Sequence, residues 1–270
     1  MKKMILSIFL VYTKEGGNDI LTLVMVMQFT ITDNKKRFIV ISDLHLCSIK
    51  DRIDLVYKAY LYALDNEIYS IINLGDLIDS VMPHNYKHIR FNDIEKQIRY
   101  VVENYPLSDR ITTYVLYGNH DYYKLFTSGI DVAKIISEER NDLINLGYGE
   151  AYLNLDDNYI KLSHPIKYLN HYKKNIKMPL HLLGHYHRYR VNYTDSIAIY
   201  VPSLSDLSTE WKLSNKPEIL DMSMKFQNGI LSKLSIKNID IEHDIINSEL
   251  NLDLNISPKR HAKVKEYFKS

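Results

Sequence analysis

An α/β architecture is predicted, on three observations. In the first half of the chain, short β-branched runs alternate with stretches at helical spacing, the pattern of α/β layering. Each apolar run stops at a polar loop, and in such folds ligands bind at the carboxyl ends of the strands. The 270 residues, 46% hydrophobic and 25% charged, are also enough to bury a sizeable core without disulfides.

The elements follow in order. Arg37–Ser42 is a dense β-branched run and reads as a buried strand. Asp51–Glu67 places Ile53, Val56, Tyr57, Tyr60, Leu61 and Leu64 on one helical stripe, with Asp51 as the expected cap. Ser70–Leu74 is a second strand, stopped by Gly75. Phe91–Tyr105 is helical through Ile94, Ile98, Val101 and Val102. Thr112–Tyr117 is a third strand, stopped by Gly118, and Val132–Leu146 a third helix with Gly147 as its C-cap. The second half is richer in strands. Ala151–Leu155 and Asn158–Ser163 flank Asp156-Asp157 as a hairpin, as do Met222–Phe226 and Ile230–Ile236 around Gln227-Asn228-Gly229. Leu180–Leu183 ends at Gly184, and Ile197–Val201 at Pro202.

The flanks divide the chain into an N-terminal extension (1–35), a main domain (36–240) and a C-terminal segment with a basic tail (241–270). Lys2-Lys3 before the apolar run Met4–Tyr12 resembles a signal peptide core. The following Thr13-Lys14-Glu15-Gly16-Gly17 lacks a small-x-small cleavage site, and Ile20–Phe29 is too short to span a bilayer as a helix. An edge strand or an N-terminal extension is therefore expected, with a signal or anchor as the minor reading; Met25 or Met27 is a further candidate for the true start. In Pro258–Ser270, Lys259, Arg260, Lys263, Lys265 and Lys269 surround Val264, Tyr267 and Phe268. A solvated terminal helix is expected there, with a phosphate-steering patch as the second reading.

The net charge of +1 gives no global footprint for nucleic acid. A single cysteine, Cys47, excludes an internal disulfide framework and a thiolate zinc cluster, and fits a reducing, cytoplasmic compartment. Cys47 reads as a small buried residue. Only 9 glycines are present, so those kept are expected where the backbone requires them.

The strand ends carry the chemistry. They lead into Asp43-x-His45, Gly75-Asp76-x-x-Asp79, Gly118-Asn119-His120-Asp121, His164-Pro165 and Gly184-His185-x-His187. Each piece alone is weak. As an ordered set, each behind an apolar strand, they read as a metal site of mixed nitrogen and oxygen ligands. Among the other histidines, His171 and His181 compete with His164. His84, His88, His243 and His261 are expected at the surface, with His84 and His88 in a loop that could touch substrate. Tyr122, Tyr123, Tyr186 and Tyr189 cluster near the motifs, as core or rim packing or as a stacking wall for a base or lipid.

This ordered set, over Lys36 to Val201, resembles the calcineurin-like metallophosphoesterase superfamily, the metallo-dependent phosphatases. The resemblance implies a four-layer αββα sandwich of two facing mixed β-sheets (α/β, or α+β in some schemes). It implies two divalent metals, one held by Asp43, His45, Asp76 and His187, the other by Asp76, Asn119, His164 and His185, with Asp76 bridging. Mixed ligands suit Mn, Fe, Zn, Ni or Co, with Mn favoured. It also implies in-line attack of a metal-bridging hydroxide, with His120 assisting the leaving group. Asp121 is expected either to orient His120 or to cap the following segment, and Asp79 to support the site from behind or cap a helix. Gly75, Gly118 and Gly184 precede ligands where side-chain bulk would crowd the metals. Protein Ser/Thr phosphatases of this superfamily carry Asp-Arg-Gly and Asn-His-Glu; here Asp79-Ser80-Val81 and Asp121 stand instead, which argues against that subclass. The expected activity is hydrolysis of a phosphomonoester or phosphodiester. The substrate candidates include nucleotides and nucleic acid; the rivals are a DNA or RNA nuclease and a non-catalytic scaffold.

Overall fold

The computed structural model describes residues 4–15, 18–30, 36–83, 85–166, 178–193, 196–206 and 216–268, the first two segments by backbone alone. In chain order the elements are β1 (Met4–Glu15), β2 (Asn18–Thr30), β3 (Arg37–Ile41), α1 (Ile53–Asp65), β4 (Ser70–Leu74), α2 (Ile94–Asn104), β5 (Thr112–Tyr117), α3 (Asn119–Ser128), α4 (Val132–Glu139), β6 (Leu143–Tyr148), β7 (Glu150–Leu155), β8 (Asn158–Ser163), β9 (Leu180–Leu183), β10 (Arg190–Tyr193), β11 (Ile197–Tyr200), β12 (Glu218–Gln227), β13 (Ile230–Asp240), β14 (Ile245–Asp253) and α5 (Pro258–Tyr267).

The strands form two seven-stranded sheets, one ordered β1-β2-β7-β8-β9-β11-β10 and the other β14-β13-β12-β3-β4-β5-β6. Both are mixed. β3, β4, β5 and β6 run parallel, and β12 to β14 continue that sheet antiparallel. The period-2 alternation of strand side chains builds the layers. Phe38 and Val40 of β3, with Ile72 and Leu74 of β4, face Leu153, Ile160, Leu162 and Leu182 of the other sheet. Ile39, Ile41, Ile71 and Val115 point the opposite way, onto Leu55, Val56 and Ala59 of α1, Ile98 and Val101 of α2 and Ile136 of α4. On the far side α5 packs Val264 and Phe268 against Tyr152, Tyr159 and Met178. The result is the αββα sandwich, and strands buried on both faces explain why the sequence shows continuous apolar runs there.

Both expected hairpins form. Their two-residue turns, Asp156-Asp157 and Asn228-Gly229, have positive φ at both positions, as type I′ turns require. The expected helix Val132–Leu146 does not form as one element. α4 ends at Glu139, where the Arg140 guanidinium reaches the carbonyls of Val102, Tyr105 and Pro106 and the carboxylate of Asp142. Leu143–Tyr148 then pairs parallel with β5, and Gly147 (φ +83°) lies in that strand near a register shift, not at a helix C-cap. Asp51 is not the N-cap of α1 either: Arg52 occupies that position, and the Asp51 carboxylate accepts the Cys47 N–H at 2.8 Å. β10 and β14, not anticipated, are short or polar strands that gain their identity from pairing with β11 and β13. β2 pairs with β7 through Gln28–Thr30, so both flanks of the 36–240 segment add strands to its sheets. Among the described residues no helix is long and apolar enough to cross a membrane.

Candidate metal centre

The carboxyl ends of five strands from both sheets converge at the seam between them. β3 delivers Asp43 and His45, β4 Asp76 and Asp79, β5 Asn119 and His120, β8 His164, and β9 His185 and His187. Potential ligand atoms lie within 4.8 Å of one another in three overlapping groups: Asp43, His45 and His187; His45, Asp76 and His120; and Asp76, His164 and His185. Asn119 joins the third group, its Oδ1 3.0 Å from His164 Nε2 and 2.9 Å from His185 Nδ1. The structure thus brings all seven expected ligand residues into one cluster with His120 beside it.

The backbone there is unusual. Asp43, His45, Asp76, His185 and His187 all have φ between +45° and +79°, a region costly for residues with a Cβ. Such conformations persist when the surroundings over-determine them. Here the Asp43 N–H donates to the Gly75 carbonyl (2.9 Å), the His45 N–H to the Asp76 carbonyl (3.0 Å) and the Asp79 N–H to the Leu46 carbonyl (2.9 Å), lacing the loops after β3 and β4 together. Gly75 (φ +100°) and Gly118 form the cradle of His164. A Cβ on Gly75 would lie 2.3 Å from His164 Nδ1, and one on Gly118 would lie 2.2 Å from Asp76 Oδ1 and 2.7 Å from His164 Nε2.

The imidazoles are aimed by their outer nitrogens. His164 Nδ1 contacts the Leu74 carbonyl at 2.7 Å, and His45 Nδ1 contacts Asp79 Oδ1 at 2.9 Å, which turns each Nε2 inward. His120 Nδ1 is 2.8 Å from the Asp79 carbonyl and 3.1 Å from its Oδ1. Asp79 therefore orients two imidazoles at once. Asp121 does not touch the His120 ring. Its buried carboxylate accepts the N–H groups of Gly118, Leu77 and Ile78 at 2.8, 3.1 and 3.0 Å, capping α3 and tying it to the loop after β4. Of its two expected roles, the capping geometry is the one found. Sequence reading also missed Ser203 and Ser205, whose hydroxyls donate to the Asp43 carbonyl at 2.8 and 3.0 Å. They follow β11 with no motif to mark them.

Electrostatics follow from this packing. Burial would push the Asp43 carboxyl up, but His187 and His164 outweigh it and hold it at about 2. Burial opposes ionisation of Asp76 and Asp79 too, and the surrounding imidazoles again win and lower both. Burial pulls His120 and His164 down, yet carboxylates, Asp76 foremost, raise them to about 10 and about 9. Burial, helped by Asp76, pushes Asp121 up to about 7. The carboxylates thus define a centre that demands positive charge.

The donor set fits divalent metal. His45 Nε2 is buried without a hydrogen-bond partner among the described residues, 3.7 Å from Asp76 Oδ2 and 4.0 Å from Asp43 Oδ1, which itself lies 3.1 Å from His187 Nε2. An imidazole nitrogen buried without a hydrogen bond and facing two carboxylates is what a shared cation would satisfy.

The remaining candidates separate cleanly. His181 lies outside the cluster, its Nε2 2.6 Å from Ser163 Oγ; His171, His84 and Lys269 lie outside the described residues. His88 is exposed at the end of the short helical turn Tyr86–His88, and His243 Nδ1 contacts Asp240 at 3.0 Å. His261 is half-buried beside Tyr159 and Val264 rather than at the surface. Cys47 is buried, and burial pushes its thiol well up. Among the described residues the basic tail does not line the site: Lys265 pairs with Asp157 in the β7–β8 turn, roughly 20 Å along β8 from His164 at about 3.3 Å per residue.

A family model described as calcineurin-like phosphoesterase matches residues 36–203. This chain belongs to that family. It is a metallophosphoesterase, a hydrolase of phosphoric ester bonds, and the family is dinuclear and metal-dependent. Among solved structures, a phosphoesterase from E. coli is similar at 14% identity and TM-score 0.45, over 81% of this chain and 100% of that one. A dimetal phosphatase from Danio rerio is similar at 10% identity and TM-score 0.47, over 83% and 100%. A nuclease from Pseudomonas putida is similar at 13% identity and TM-score 0.37, over 78% and 96%. No curated protein matches the phosphoesterase chain significantly.

Proposed function

We propose that this metallophosphoesterase cleaves a phosphomonoester or phosphodiester at a two-metal centre, manganese being the favoured ion. Asp43, His45, Asp76 and His187 hold one cation; Asp76, Asn119, His164 and His185 hold the other. The observation that carries this reading is the buried His45 Nε2, without a hydrogen-bond partner among the described residues, facing Asp43 Oδ1 and Asp76 Oδ2 at 4.0 and 3.7 Å within the ligand cluster. Bound divalent ions supply an activated water and neutralise phosphoryl charge.

The chain's own residues do the rest. Asp76 is shared by two of the ligand groups. Neutral imidazoles and one amide add ligands without adding negative charge, so an anionic phosphate can approach. His120 stands 4.6 Å, ring to ring, from His45, and Asp79 braces it through Nδ1, leaving Nε2 to donate a proton to the departing oxygen. Asp79 also supports ionisation of that ring. Ser203 and Ser205 hold the Asp43 loop in place.

The test is a Mn-supplemented panel of 4-nitrophenyl phosphate, bis(4-nitrophenyl) phosphate and single- and double-stranded DNA, run on wild type, Asp76→Ala and His120→Ala. Asp76→Ala is expected to lose bound metal and activity together. His120→Ala is expected to keep its metal and lose roughly 10²–10⁴-fold in rate, most with poor leaving groups. Wild-type rates for His120→Ala on every substrate would remove it from the mechanism.

A further inference from the structure

The metal centre opens into an apolar cavity that the motifs do not account for. It measures about 400 Å³ and is lined by Tyr122, Tyr123 and Phe126 of α3, with Met82, Pro165 and Ile166. Asn119 and His185, both in the ligand cluster, form part of the same wall, so the cavity is continuous with the centre. No Asp, Glu, Lys or Arg is among its described lining residues.

The way α3 is held explains why these rings are there. Of its ten residues only Asp121 is fully buried. The helix is anchored by its first turn, through the Asp121 carboxylate and the His120 N–H to Asp76 Oδ1 (2.9 Å). Tyr122 packs edge-on against Tyr148 at 5.4 Å, and Tyr122, Tyr123 and Leu125 stay half-buried. Phe126 remains 57% exposed on that wall. An apolar concavity with few polar groups selects ligands by hydrocarbon burial.

We propose that this cavity takes the hydrocarbon part of the substrate, so that the phosphate ester carries an alkyl or aryl group. This rests on the two-metal reading above. Each methylene drawn into the cavity contributes up to about fourfold in affinity, the equivalent of about 0.8 kcal/mol.

The experiment measures inhibition by n-alkylphosphonates, methyl through octyl, against Mn-loaded enzyme hydrolysing bis(4-nitrophenyl) phosphate. The inhibition constant is expected to fall with each added methylene until the cavity is filled. Phe126→Ala should flatten that slope, and Leu107→Ala, at a 73% exposed site outside the cavity wall, should keep it. Turnover with methylphosphonate inhibition but no dependence on chain length would overturn the hydrocarbon assignment alone. A nucleoside 5′-phosphonate binding more tightly than octylphosphonate would overturn it in favour of a nucleotide. Absence of both turnover and phosphonate inhibition would overturn the two-metal reading and this inference with it.

Discussion

Gly118→Ala isolates the steric demand of the metal centre. Gly118 has φ −93° and ψ −163°, a conformation open to alanine, so no backbone strain enters. The added Cβ would fall 2.2 Å from Asp76 Oδ1, 2.6 Å from the Asp76 N and 2.7 Å from His164 Nε2, where ordinary contact begins at 3.4 Å. Asp76 or the loop must retreat by roughly 1 Å, and a displacement of that size at reacting groups costs on the order of 100-fold in rate, or about 2.7 kcal/mol of transition-state stabilisation. The assay is kcat on bis(4-nitrophenyl) phosphate with saturating Mn, with bound metal measured by elemental analysis and folding by thermal melting. Gly129→Ala is the control. Its Cβ meets nothing within 4 Å while its φ is +70°, so it should lose about 1 kcal/mol of stability and little activity. A Gly118→Ala enzyme with full metal content and a rate within threefold of wild type would refute the crowding argument.

Three further outcomes follow from the packing. Asp79→Asn removes the charge that faces both His45 and His120, and should lower Mn affinity or kcat by about 10–100-fold; a metal titration and a rate measurement that both match wild type would contradict it. His181 has its imidazole lowered to about 3, by burial first and then by Lys161. The folded protein therefore refuses a proton that the unfolded chain takes up below about pH 6.5, and its contribution is present above that pH and lost as pH falls toward 3. Wild type should lose about 2 kcal/mol more than His181→Gln between about pH 7 and pH 5, read from urea midpoints. Arg140→Met strands the carbonyls of Val102, Tyr105 and Pro106 and should destabilise the fold by about 3 kcal/mol, measured by urea unfolding at neutral pH.

The legible part of this protein was its punctuation. Asp43, His45, Asp76, Asn119, His164, His185 and His187 stand at strand ends, each directly after a run dense enough in apolar residues to be recognised locally. The choice between His164 and His181 was also readable, since a residue just past a strand faces the sheet edge and one inside it does not. The stretch 132–146 was misread because Ile135, Ile136, Leu143 and Leu146 suit a helix or a parallel strand equally. Pairing with β5 decided it, and pairing is a contact with residues about thirty positions away. Asp121 and Asp79 are both acids within three residues of an expected ligand. Only the turn of α3 sent Asp121 to backbone N–H groups and left Asp79 against two imidazoles.

The sequence by itself determined the candidate ligand types, their order and the layering of strands and helices, because coordination chemistry needs particular side chains and strand ends are marked by their neighbours. Tertiary structure alone decided the positive-φ lacing of the ligand loops, the bracing by Asp79, Ser203 and Ser205, the distance of the basic tail and the apolar cavity beside Asn119 and His185. Each of these depends on which distant segments pack together, and packing is settled by the whole core at once, not by any local stretch of chain.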